Sequence, residues 1–156
     1  MRSATPKMNI PSNLSTGGLL RLAWQRVRRE MITALVEAGY AELDESLFAV
    51  FAYPLPDGVR PTDIAHKIGM TRQATNYLIA QLEAAGYLER RAPRGSSRRL
   101  VHLTKRGWQL AETMFGIMRG LQSQWAKEVG QERFDHFLEV LRMLSSQQPP
   151  PPGGRH

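Results

Sequence analysis

Three side chains that can read base edges fall close together in this sequence: Arg72, Gln73 and Asn76. An arginine can bond guanine O6 and N7 together, and glutamine or asparagine can bond adenine N6 and N7. Thr71 precedes them and Tyr77 follows. Tyr77 either joins this reading face or packs under the segment that comes next. Shortly downstream lie Arg90, Arg91, Arg94, Arg98 and Arg99, with Lys105 and Arg106 beyond. Arginines so placed can track a phosphate backbone, and one at a loop tip can enter a narrow minor groove. Thr62 and Thr71, at two expected helix starts, can hold phosphates as well.

Other chemistries lack their residues. The chain has no cysteine, so it offers no disulfide, thiolate metal site or cysteine nucleophile. The four histidines, at 66, 102, 136 and 156, lack zinc-site spacing, so no metal is expected. No G-x-x-x-x-G-K, G-x-S-x-G or G-x-G-x-x-G motif is present. The chain reads as a non-enzyme with no cofactor.

The charge is as local as the motif. The 156 residues carry a net +7. Residues 1–59 balance six basic against six acidic groups, and residues 107–156 balance five against five. Residues 60–106 carry ten basic groups against Asp63, Glu83 and Glu89, which is the whole excess. A polyanionic partner is expected there. The N-terminus has no apolar leader, and no apolar run approaches the roughly 20 residues of a spanning helix. A soluble, cytoplasmic protein without membrane contact is the expectation.

Particular elements must position these residues. A long helix is expected over Ser15 to Ala38, with apolar residues at Leu19, Leu20, Ala23, Trp24, Val27, Met31, Leu35 and Val36. Ser15 or Thr16 caps it, and Gly39 closes it. A shorter helix follows over about Glu42 to Ala52, ended by Pro54 and Pro56. Residues 60–87 read as two short helices around Gly69, capped by Thr62 and Thr71. In the second, Thr75, Leu78, Ile79 and Leu82 mark the buried face, which turns Arg72, Gln73, Asn76, Tyr77 and Ala80 outward. Tyr87–Arg91 and Arg99–Leu103 then form a hairpin about Pro93, Gly95, Ser96 and Ser97. Thr104 and Gly107 lead into a helix over Lys105 to Val129. Gly130 breaks it from a last helix, Gln131 to Ser145.

Helix, glycine turn, helix and Arg-rich hairpin is the winged helix-turn-helix order. The fold class is therefore mainly α with a small β wing. Five regions are expected: a flexible arm at 1–14, N-terminal helices at 15–59, a winged DNA-binding lobe at 60–107, C-terminal dimerisation helices at 108–146, and a disordered Pro/Gly tail at 147–156. Leu19, Leu20, Trp24, Phe134, Phe137, Leu138, Leu141 and Leu144 are a large apolar inventory at the two ends, more than one protomer should leave exposed. A homodimer built on these residues is expected.

The lobe resembles a known family. TDIAHKIGMTRQATNYLIAQLEAAGYLERR and the closing LVHLTKRG are similar to the DNA-binding lobe of MarR family transcriptional regulators. The resemblance spans roughly residues 15–146. It implies a homodimer with interlocked terminal helices, two winged lobes and a palindromic operator. It also implies repression relieved by a small, often aromatic, ligand held between dimer helices and lobe. Trp24, Arg28, Tyr40, Phe48, Phe51 and Tyr53 are the candidates for lining such a pocket. Thiol-based release is excluded, since there is no thiol. The family's wing usually carries an Asp-x-Arg pair, and Gly95 and Ser97 stand in those places here. The function expected is sequence-specific binding of double-stranded DNA, most simply as a repressor. The alternative is a winged-helix adaptor for RNA or protein without base readout.

Overall fold

In the computed structural model, residues 11, 13–43, 45–51 and 58–146 are described. Residues 1–10 and 12 of the arm expected at 1–14, Tyr53, Pro54, Pro56 and the tail from 147 lie outside them. The element order is α1 (Thr16–Glu37), α2 (Glu45–Phe51), α3 (Pro61–Ile68), α4 (Arg72–Ala84), β1 (Leu88–Arg91), β2 (Leu100–Leu103), α5 (Lys105–Val129) and α6 (Gln131–Ser146). No helix among the described residues is long and apolar enough to cross a membrane.

Local chemistry sets most boundaries. Ser15 caps α1 by accepting the Gly18 N–H at 3.2 Å. Ala38, not Gly39, is its C-cap, with Gly39 following. The second helix starts later than its apolar run suggested, because Leu43 N–H turns back to the Tyr40 carbonyl at 3.2 Å. At α3 the expected cap was wrong. Arg60 is the N-cap residue, without a side-chain cap bond, and Pro61 takes the first position. Proline suits that place because it lacks the N–H that would go unpaired there. Thr62 is thus inside the helix and half-buried. Gly69 adopts φ +68°, the left-handed conformation that lets α3 stop and α4 start within three residues.

α4 carries the predicted faces. Thr75, Leu78, Ile79 and Leu82 are buried, and Arg72, Gln73, Asn76, Tyr77 and Ala80 are exposed. Beyond its end, Tyr87 N–H reaches the Leu82 carbonyl at 2.9 Å, and both side chains are fully buried. That closing contact seats Tyr87 in the core. β1 and β2 pair antiparallel from Leu88↔Leu103 to Arg91↔Leu100. Val59 adds a bridge to Val101, with bonds of 3.0 and 2.8 Å.

The main core joins the C-terminal part of α1, α2, the lobe and the first half of α5, from Met31 and Leu35 through Leu78, Ile79 and Tyr87 to Leu110 and Met114. The rest of α1, α5 and α6 is much less covered. Leu19, Leu20, Trp24, Val129, Phe137, Val140, Met143 and Leu144 are all exposed.

Among the described residues, Thr75 is the fully buried one that carries an unsatisfied side-chain polar atom. Thr75 is 0% exposed, and its hydroxyl has no hydrogen-bond partner. A buried unpaired hydroxyl costs stability, whereas a methyl of the same shape does not. Thr75→Val should therefore leave thermal stability unchanged or raise it by up to about 1 kcal/mol. A clear drop in melting temperature would show that the hydroxyl is bonded in solution.

Candidate nucleic-acid interface

Thr71 is the N-cap of α4 and accepts the Ala74 N–H at 3.2 Å. Its own O–H is left able to donate to a phosphate. Arg72, Gln73, Asn76 and Tyr77 follow as one exposed face. Tyr77 is 66% exposed, so it belongs to this face and does not pack under the hairpin. The helix N-terminus adds its own partial positive charge on the same side.

The hairpin divides its arginines into two groups. At its root, Arg90 is half-buried, with Nε 3.1 Å from Glu83 Oε2, an ion contact without hydrogen-bond alignment. Arg91 pairs with Glu89. These two cations already face protein carboxylates. At the tip, residues 91–99 are all exposed, and Arg94, Arg98 and Arg99 lie among them. The tip holds its turn without an acid–arginine link. Ser96 N–H bonds the Pro93 carbonyl at 3.0 Å, and Arg98 N–H bonds the Ser96 hydroxyl at 3.1 Å. Ser96 lies between the two positions where the usual pair is missing.

Arg106 faces protein groups rather than open solvent alone. Its guanidinium is 2.6 Å from Glu42 and 4.6 Å from the centre of the Tyr87 ring, while the Tyr87 O–H donates to Glu42. This trio ties the α1–α2 turn, the end of the lobe and the start of α5 together. The Tyr87 hydrogen bond, aided by Arg106, holds the Glu42 carboxyl below the usual glutamate value. Burial, then Glu42, pushes the Tyr87 phenol up. Because Glu42 is depressed in the folded state, its contribution is complete above the ordinary value and lost as pH falls below it. Glu42→Gln should therefore flatten the acid side of the stability profile, and urea melts between pH 6 and 3 check this. An unchanged profile would remove Glu42 from the joint.

A second long-range pair was equally invisible in the sequence. Arg26 binds Glu128 through two bonds, 3.0 and 2.7 Å, and Glu30 at 2.8 Å, with its guanidinium 5.2 Å from the Trp125 ring centre. These contacts raise the Arg26 pKa and lower that of Glu128. The pair clamps α1 to α5. Nothing local in a sequence marks partners 102 residues apart.

The candidate pocket residues do not converge. Tyr40, Phe48 and Phe51 pack at the core, with Tyr40 and Phe51 rings 6.3 and 6.5 Å from that of Tyr87. Trp24 is exposed, and Arg28 borders a shallow hollow along α1 with Ile32. A cleft of about 540 Å³ lies elsewhere, between α1, α5 and α6, lined by Leu19, Leu22, Trp125, Arg133, Phe134 and Phe137. Of the apolar residues assigned to a dimer face, Leu19, Leu20, Trp24 and Phe137 are exposed, and Leu138 and Leu141 are half-buried. Phe134 is already buried within the protomer, 6.1 Å from the Phe137 ring.

Comparison with known proteins shows what this geometry is similar to. Residues 54–99 match the MarR family model. No curated protein matches the chain. Among solved structures, a Mycobacterium tuberculosis MarR family protein in complex with salicylic acid has 26% identity and a TM-score of 0.65, covering 86% of this chain and 99% of its own. The transcriptional repressor CouR, known from Rhodococcus jostii, has been solved on a 23-mer DNA duplex. It has 20% identity and a TM-score of 0.69, over 84% of this chain and 92% of its own. MepR, which regulates the Staphylococcus aureus multidrug efflux pump MepA, has 19% identity and a TM-score of 0.64, over 86% and 100%. The matched lobe and the shared fold make the chain similar to winged helix-turn-helix proteins of the MarR family.

Proposed function

We propose that this protein is a homodimeric transcriptional regulator that binds a palindromic operator in double-stranded DNA, most simply as a repressor. One observation carries the reading. The polar face of α4 and the arginine tip of the wing are exposed together in the lobe that holds the whole net charge. Arg72, Gln73, Asn76 and Tyr77 read bases in the major groove, Thr71 holds a phosphate, and Arg94, Arg98 and Arg99 meet the backbone or minor groove. CouR, of the same fold, has been solved on DNA.

The uncovered halves of α1, α5 and α6 support dimerisation. A two-fold dimer would set its reading helices about 34–36 Å apart, one turn of B-DNA. A small aromatic ligand is the effector class we propose, but not one held by Trp24, Arg28, Tyr40, Phe48 and Phe51 together, which do not converge. The salicylic acid complex of the mycobacterial protein and the p-coumaroyl-CoA complex of CouR support that class. The ligand would act only through different affinities for the two lobe spacings. A cytoplasmic location is the proposal that goes with a DNA target.

Sedimentation with a salt titration tests the reading. The expected result is a dimer at micromolar concentration whose DNA affinity falls with salt, log K against log salt having a slope near −0.9 per phosphate contact. A monomer with little DNA affinity even at low salt would support a protein adaptor instead.

A further inference from the structure

We infer that Glu83 is a positioning residue for DNA recognition: through Arg90 it sets where the wing stands relative to the reading helix. The inference rests on the DNA-binding reading above. Glu83 lies near the end of α4, and Arg90 lies in β1 opposite Val101. Their contact, at 3.1 Å with both side chains 27% exposed, therefore joins the reading helix to the middle of the wing root. Val101 is fully buried and bridged to Val59, so the root is also held from its other side.

Beyond the root, strand pairing ends at Arg91↔Leu100. Arg94, Arg98 and Arg99 sit on the unpaired backbone past that point. The root's orientation therefore sets where they stand relative to Gln73 and Asn76. The charge inventory agrees. Each of the three acids in residues 60–106 faces an arginine: Asp63 on Arg60, Glu89 on Arg91 and Glu83 on Arg90. Of these, only Glu83–Arg90 links the reading helix to the wing. Arg90 thus acts inside the protein and not on a phosphate.

An acid next to a DNA surface weakens binding by simple electrostatics. If charge were its only effect, Glu83→Gln would tighten binding to every duplex. The positioning role has the opposite sign for specific DNA. The test uses the full chain, a duplex enriched by the native protein from a random pool, and a random duplex of equal length. Glu83→Gln should weaken the enriched duplex about ten-fold while changing the random duplex less than about two-fold. Melting temperature should stay within a few degrees, since half-exposed ion pairs contribute little to stability.

The charge swap, Glu83→Arg with Arg90→Glu, keeps the pair and the net charge. It should recover most of the lost affinity, as a direct pairwise coupling requires. Enriched-duplex binding by Glu83→Gln that is equal to or tighter than native would overturn the inference. So would a swap that recovers nothing. A readout without DNA separates this from failure of the functional reading. Amide exchange at Arg90 and Val101 in the free protein should quicken in Glu83→Gln, and unchanged exchange would also overturn the positioning role.

Discussion

Gly107→Ala is expected to unfold the protein or cost it at least about 4 kcal/mol, the range reserved for severe packing failures. Gly107 sits in the first turn of α5, where its N–H bonds the Thr104 hydroxyl at 3.1 Å. Thr104 also donates to the Gly86 carbonyl at 2.6 Å, and its N–H bonds the Tyr87 carbonyl at 3.1 Å. The start of α5 is therefore pressed against the segment that ends α4. A methyl on Gly107 would lie 2.1 Å from the Tyr87 carbonyl oxygen, which is backbone and cannot rotate away. Helix propensity predicts the opposite, a gain of about 0.5–1 kcal/mol for alanine over glycine. Gly120 in the same helix supplies the control, because a methyl there meets nothing within 4 Å. Gly120→Ala should follow propensity and stabilise slightly. Thermal melts of the two variants moving in opposite directions would support the contact, and two similar melts would refute it.

The second large effect concerns DNA. Gln73→Ala and Asn76→Ala should each remove about 1–3 kcal/mol of discrimination at one base pair. The proposed dimer would carry each residue twice, so the loss would be felt in both half-sites. Binding to random DNA should hardly change, because the phosphate contacts are untouched. Arg98→Ala with Arg99→Ala should do the reverse. Affinity should fall on all sequences, and the salt slope should shrink by about 1 per arginine removed. Titrations of specific and random duplexes at several salt concentrations separate the cases. If both variants behaved alike on both duplexes, the division between reading helix and wing would be wrong.

What the sequence made legible was local. The spacing of Thr75, Leu78, Ile79 and Leu82 defines the inner face of α4, and the outer face follows from it. Turn chemistry around Pro93 and Gly95 marks the hairpin, and Thr104 marks the start of α5. Competition within a few residues was harder to judge. Thr62 is a better capping residue than Arg60, yet Pro61 between them takes the first helical place and moves the cap back. Long-range partners were not legible at all. Arg90, Arg91 and Arg106 read as free wing cations, because their acids are chosen by the fold: Glu83 and Glu89 nearby, Glu42 64 residues away. For the same reason Tyr40 and Phe51 were available as pocket residues until Tyr87 was found packed between them.

If the proposed function holds, α4 reads bases from a two-fold dimer. Selection of bound sequences from a random duplex pool by the full chain tests it most directly. The expected result is a palindrome with half-site centres about 10–10.5 base pairs apart, or a multiple of that, lost with Gln73→Ala and Asn76→Ala. Enrichment of no common sequence at low salt, or of a single unrepeated half-site, would contradict it.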